Sequence, residues 1–115
     1  MKPAPFRYLL PRTLAEALAM KAEHGDNAQW LAGGQSLVPA MNFRLAQPAV
    51  LIDLNELSEL DGIGERDGMQ IGAQSETRIG ALARHATIEH DRLIAQAQPL
   101  VHEAMPWIAH PQIRN

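Results

Sequence analysis

After Pro48 the sequence reads Ala49-Val50-Leu51-Ile52-Asp53-Leu54, an apolar run broken only by Asp53. A strand with one wet face alternates between apolar and polar residues; a run without alternation needs cover on both faces, as a central strand of a parallel sheet has. Such a strand requires other strands beside it and helices packed on it. Gln29-Trp30-Leu31-Ala32, a brief apolar run that stops at Gly33-Gly34, is read as one neighbour, and Phe6 to Leu10, ending at Pro11, as an extended lead-in segment.

Helical spacing supplies the cover. Thr13 with Glu16 three residues on forms a capping box, Leu14, Leu18, Ala19 and Ala22 form an apolar stripe, and Gly25 is the stop, so a helix is expected over 13–24. Ser36 opens a second amphipathic stretch reaching about Leu45, with Pro39 in its first turn, where a missing N–H costs least. Gly62, Gly64, Asp67-Gly68 and Gly72 punctuate an alternating stretch, which predicts a hairpin of Ile63 and Met69–Ile71 around an Asp67-Gly68 turn. Ile79, Leu82, Ala83 and Ala86 after Thr77, and Leu100, Val101, Ala104, Met105 and Ile108 after Pro99, predict two further helices, with no closing element before Asn115. The order β-α-β-α-β-ββ-α-α is that of an α/β (α+β) fold.

Composition narrows the function. The 115 residues, 46% hydrophobic, suffice for one compact core and are few for two independent domains. Ten Lys and Arg are spread among thirteen Asp and Glu, for a net charge of -3, which argues against a nucleic-acid partner. The chain has no cysteine, which removes disulfides, thiolate zinc or iron–sulfur ligation and a cysteine nucleophile from it. No stretch approaches the roughly 18 apolar residues of a membrane span, and the first five residues lack the apolar core of a secretory signal. A cytoplasmic location is the expectation.

The glycine pair lies between strand and helix. Adjacent glycines there let the backbone take conformations that a Cβ forbids, so that consecutive N–H groups turn toward one anion, aided by the positive end of the following helix. Ser36 adds a hydroxyl and Gln35 an amide, which together suit a pyrophosphate. The P-loop pattern is absent, as is the third glycine of the Rossmann fingerprint. By pattern alone the same glycines also make an ordinary tight turn.

A wider stretch carries more. Phe6-x-Tyr8-x-x-Pro11-x-Thr13-x-x-Glu16-Ala17, Leu31-Ala32-Gly33-Gly34-Gln35-Ser36-Leu37-Val38-Pro39-x-Met41-Asn42-x-Arg44-Leu45-Ala46-x-Pro48 and Leu51-Ile52-Asp53-Leu54 are followed by Ile71-Gly72-Ala73 with Thr77, Leu82-Ala83-Arg84-His85 and His110-Pro111-Gln112-Ile113-Arg114-Asn115. This pattern resembles the FAD-binding medium subunits of molybdenum hydroxylases, of the xanthine dehydrogenase and carbon monoxide dehydrogenase type.

The resemblance implies a domain of the PCMH/vanillyl-alcohol-oxidase type, with two α/β subdomains around an extended FAD. It places Ala32, Gly33, Gly34, Gln35 and Ser36 on the pyrophosphate, with Leu31, Leu37 and Val38 flanking the flavin. It further implies a molybdopterin-binding large subunit and a small subunit with 2Fe–2S clusters as partners, so that electrons reach FAD and leave for an external acceptor. In that family a second glycine motif, Thr-Ile/Val-Gly-Gly, follows the Arg-Asn matched by Arg114-Asn115. Residues 1–115 are thus expected to be a partial FAD-binding domain, the N-terminal subdomain plus the start of the second. The alternative is a non-catalytic remnant that serves only subunit assembly.

Other polar residues are expected to be ordinary. His85, His90 and Asp91 invite a metal reading, but the two His, five apart, lie on different helix faces, and His102 and His110 are separated by Pro106, so no metal site is expected. Asp53 is read as a turn cap rather than a ribose ligand, Arg44 as solvated or ion-paired rather than a phosphate ligand, and Trp30 and Trp107 as packing groups. No catalytic triad or carboxylate pair is legible, as befits chemistry performed by a cofactor.

Overall fold

The structure, a computed structural model, describes residues 1–66 and 76–115. It divides into two compact units, Met1–Glu59 and Leu60–Asn115.

The first unit holds strands β1 (Arg7–Leu9), β2 (Ala28–Leu31) and β3 (Val50–Asp53) and helices α1 (Leu14–His24) and α2 (Leu37–Asn42). The strands form one parallel sheet in the order β1-β3-β2. The central place of β3 follows from its sequence: Val50, Leu51 and Ile52 are all buried, so neighbouring side chains on opposite faces are both covered. Val50 and Ile52 pack with Ala28, and Leu9, Met20, Trp30 and Leu54 close around them. The lead-in segment is itself a strand, with Tyr8 opposite Leu51.

Helix α1 begins and ends as its sequence predicts. The Thr13 hydroxyl accepts the Glu16 N–H at 3.2 Å, while the Glu16 carboxylate reaches back to the Arg12 N–H at 2.8 Å. At the other end Gly25 takes φ 53°, and the Lys21 amine donates to the carbonyls of Gly25 and Ala28, each at 2.7 Å. That last contact ties the helix terminus to the start of β2. Helix α2 is shorter than expected. Arg44 turns left-handed at φ 58°, and the Leu45 N–H returns to the Ala40 carbonyl, so the apolar spacing beyond Asn42 belongs to a turn.

The second unit pairs β4 (Ile63–Arg66) with β5 (Glu76–Ile79) as antiparallel strands, Ile63 opposite Ile79. The expected Asp67-Gly68 turn and the strand Met69–Ile71 lie outside the described residues, as does the Ile71-Gly72-Ala73 match. Thr77 and Ile79, expected to open a helix, belong to β5 instead. Their ladder to β4 outweighs a helical spacing that only four residues support, and the helix starts six residues after Ile79. Gly80 marks the change: a Cβ there would stand 2.4 Å from the Leu60 carbonyl oxygen, so only glycine permits that close approach.

Helices α3 (His85–His90), α4 (Arg92–Ala97), α5 (Pro99–Ala104) and α6 (Pro111–Arg114) complete the unit. Ile88, Ile94 and Met105 are its buried core, with Ile63, Ala83, Val101 and Ile108 packed against them. The predicted helix through Ile108 stops at Ala104 because Pro106 lacks the N–H that would continue it; a 3-10 turn, Met105–Trp107, follows. The expectation of no closing element is also corrected, since α6 ends the chain with Arg114 buried. Its Nε meets Glu89 at 2.8 Å, and Nη1 donates to the carbonyls of Pro106, Ile108 and Ala109 at 3.1–3.3 Å.

Candidate functional site

Leu31 and Asp53 are register partners, and the Leu54 N–H donates to the Leu31 carbonyl at 2.9 Å, so β2 and β3 end side by side. The segment 32–36 leaves from this carboxyl end of the parallel sheet, where ligands of open α/β sheets bind.

The two glycines differ. Gly34 has φ +73°, a conformation strained for any other residue, and a Cβ on it would lie 3.1 Å from Val38 Cγ2 and 3.2 Å from Leu31 Cδ1. Leu31 and Val38 thus close on the loop from either side. Gly33 does not share the left-handed conformation, and nothing stands within 4 Å of the position its Cβ would take. Of the pair, backbone conformation demands glycine only at Gly34; at Gly33 the missing side chain leaves open space beside the loop.

Among the described residues, the backbone N–H groups of Gly33, Gly34, Gln35, Ser36 and Leu37 donate to no protein acceptor; the first bond of α2 runs from Val38 to the Gly34 carbonyl at 2.9 Å. Ser36 is already helical in backbone, at φ -101° and ψ -42°, and its hydroxyl does not cap α2. The Gln35 and Ser36 side chains are exposed, as are Ala32 and Gly33. The segment therefore presents consecutive donors, a hydroxyl and an amide without a cationic side chain, a set suited to a diffuse anion such as a pyrophosphate.

A residue that the sequence reading passed over holds this loop. Asn55 Nδ2 donates to the Ala32 carbonyl at 3.0 Å and to Asp53 Oδ1 at 2.6 Å, and the Asn55 N–H donates to the same Oδ1 at 2.9 Å. Asp53 Oδ2 accepts the Tyr8 hydroxyl, which links the end of β3 to β1. That hydrogen bond, with smaller contributions from desolvation and the Asp53 and Glu56 charges, raises the Tyr8 phenol above its ordinary range. Asp53 thus caps its turn, as expected. The reach of Asn55 across 23 residues to Ala32 has no local signature; only the proximity of two strand ends creates it.

The remaining candidates are dispersed. Arg44 Nε donates to the Lys2 carbonyl at 3.4 Å. His85 and His90 are exposed on α3, Asp91 caps α4 through the Ile94 N–H at 3.0 Å, and the buried Nδ1 of His102 has no partner among the described residues. No group of three or more potential metal ligands occurs among the described residues. Trp30 packs on the first core as expected, but Trp107 does not pack: it is 88% exposed.

Residues 4–115 match the family described as FAD binding domain in molybdopterin dehydrogenase. Over its whole length the chain is 44% identical to the 6-hydroxypseudooxynicotine dehydrogenase complex subunit alpha of Paenarthrobacter nicotinovorans, covering 36% of that protein. It is 42% identical to the carbon monoxide dehydrogenase medium chain of Hydrogenophaga pseudoflava, covering 38% of it. The solved carbon monoxide dehydrogenase of Hydrogenophaga pseudoflava that lacks the Mo-pyranopterin moiety superposes on the whole chain with a TM-score of 0.89 at 38% identity, and 38% of that chain is covered. For quinoline 2-oxidoreductase from Pseudomonas putida 86 the TM-score is 0.88 at 33% identity, again over the whole chain and 38% of the other. The chain spans little more than a third of the length of these relatives.

Proposed function

The chain belongs to the family of FAD-binding domains of molybdopterin dehydrogenases, and from that premise we propose that Ala32, Gly33, Gly34, Gln35 and Ser36 hold the pyrophosphate of FAD. Leu31, Leu37 and Val38 flank the cofactor. The observation that supports this reading is the series of unpartnered N–H groups from Gly33 to Leu37, set around a left-handed Gly34 at the carboxyl end of a parallel sheet. Open space beside Gly33 admits a phosphate to the backbone.

In this proposal the protein is the FAD-binding electron-transfer subunit of a cytoplasmic dehydrogenase. It works with a molybdopterin-binding large subunit and an iron–sulfur small subunit and passes electrons through FAD to an external acceptor. Residues 1–115 form the part of its FAD domain that carries the first glycine loop. Bound FAD supplies the redox chemistry, and the residues of this chain bind and orient it. No helix among the described residues is long and apolar enough to cross a membrane.

Gly34→Asp in the full-length protein tests the assignment. The substitution places a Cβ against Val38 and Leu31, forces an unfavourable φ and sets a negative charge beside the pyrophosphate. The expected result is a folded protein by circular dichroism that has lost its flavin absorbance, beside a yellow wild type. A mutant that retains stoichiometric FAD contradicts the assignment, and a wild type that binds none at saturating FAD supports the assembly-module reading instead.

A further inference from the structure

We infer that Asn55 is the positioning residue of the glycine loop: by holding the Ala32 carbonyl it aims the Gly33 N–H at the bound anion. The inference rests on the flavin reading above and adds to it a residue outside the loop.

The Ala32 carbonyl oxygen and the Gly33 N–H belong to the same planar trans unit, so they point in opposite directions and turn together. Asn55 Nδ2 fixes the oxygen at 3.0 Å. The Gly33 N–H must then face away from Asn55 and the end of β3, and among the described residues it meets no protein acceptor there. This peptide turns about ψ of Ala32 and φ of Gly33, and glycine imposes little preference on that φ. The side-chain amide supplies the restraint that the residue lacks.

Asn55 is itself held. A primary amide nitrogen has two donors, and here one goes to Ala32 and the other to Asp53 Oδ1, while the Asn55 backbone N–H reaches that oxygen as well. Tyr8 secures the second oxygen of Asp53 from β1. The orientation of a loop at the end of β2 thus depends on side chains from the ends of β3 and from β1, and hydrogen bonds to charged acceptors make the series stiff.

The test measures dissociation constants of FAD and ADP for full-length wild type, Asn55→Ala, Asn55→Asp and Tyr8→Phe, with the thermal midpoint of each unliganded protein. Asn55→Ala should weaken FAD and ADP by a common factor of about ten to a hundred, because both carry the pyrophosphate. Asn55→Asp, equal in size but without a donor for the Ala32 carbonyl, should weaken them as much, and Tyr8→Phe, one step removed, by about threefold. If Asn55→Ala does not fold, the isosteric Asn55→Asp and the single-hydroxyl change in Tyr8→Phe carry the test. A lowered thermal midpoint with unchanged FAD and ADP affinity, measured well below that midpoint, overturns the inference and leaves the flavin reading standing. A wild type that binds neither ligand overturns both.

Discussion

Tyr8 is the single tyrosine of the sequence, and its hydroxyl donates to Asp53, whose other oxygen anchors Asn55. A phenolate cannot donate, so the folded protein holds the proton more tightly than the unfolded chain. The folded pKa is raised; the stabilisation is therefore complete below the ordinary tyrosine value and is lost as pH rises through the higher folded value. Phenolate absorbance of residues 1–115 should titrate with a midpoint above that of an exposed tyrosine, and Asp53→Ala should lower it toward the ordinary value. A wild-type midpoint at or below the ordinary value means that the bond does not persist in solution. At this scale Gly34 was legible because its place between a strand and a helix demands a residue without a Cβ. Gly33 was legible by type but not by reason, since its φ is not left-handed. Asn55 was not legible at all: Asp53-Leu54-Asn55 announces a turn, and nothing local tells which distant carbonyl the turn will meet.

Among the elements, α1 and β3 follow from sequence because their signals are redundant. A capping pair, an apolar stripe and a terminal glycine agree for the one, and buried residues on both faces for the other. The stretch after Thr77 had spacing alone, which a strand ladder and the Gly80 contact outweigh. Helix α6 went unseen because four residues cannot show a period, and what secures it is Arg114 bound to Glu89 and three carbonyls. The guanidinium also holds Ala109 at φ 51°, an uncommon conformation for a residue with a Cβ. Arg114→Ala should cost about 3 kcal/mol in urea unfolding, since it strands Glu89, whose side chain is only 16% exposed, and frees the carbonyls. Arg114→Lys should recover little, because a single ammonium cannot fill both the Nε and Nη1 positions. A loss below about 0.5 kcal/mol for Arg114→Ala would place the ion pair among those that surface solvent already screens.

For the whole molecule, α/β layering was readable from alternation, whereas the division near Glu59 was not, since no linker composition marks it. The chain spans little more than a third of the length of its relatives. If a second glycine loop shares the pyrophosphate, as the family resemblance implies, residues 1–115 by themselves should bind FAD weakly: each charge-assisted bond from that loop is worth about 1.5–3 kcal/mol, and every 1.4 kcal/mol is tenfold in affinity. Weak binding nevertheless reports its location. The most direct test of the central claim is an amide-resolved nuclear magnetic resonance titration of residues 1–115 with FAD. The account predicts fast-exchange shifts concentrated on the amides of Gly33, Gly34, Gln35, Ser36 and Leu37, with the Asn55 side-chain amide moving beside them. Shifts that leave those amides still while others move would contradict it.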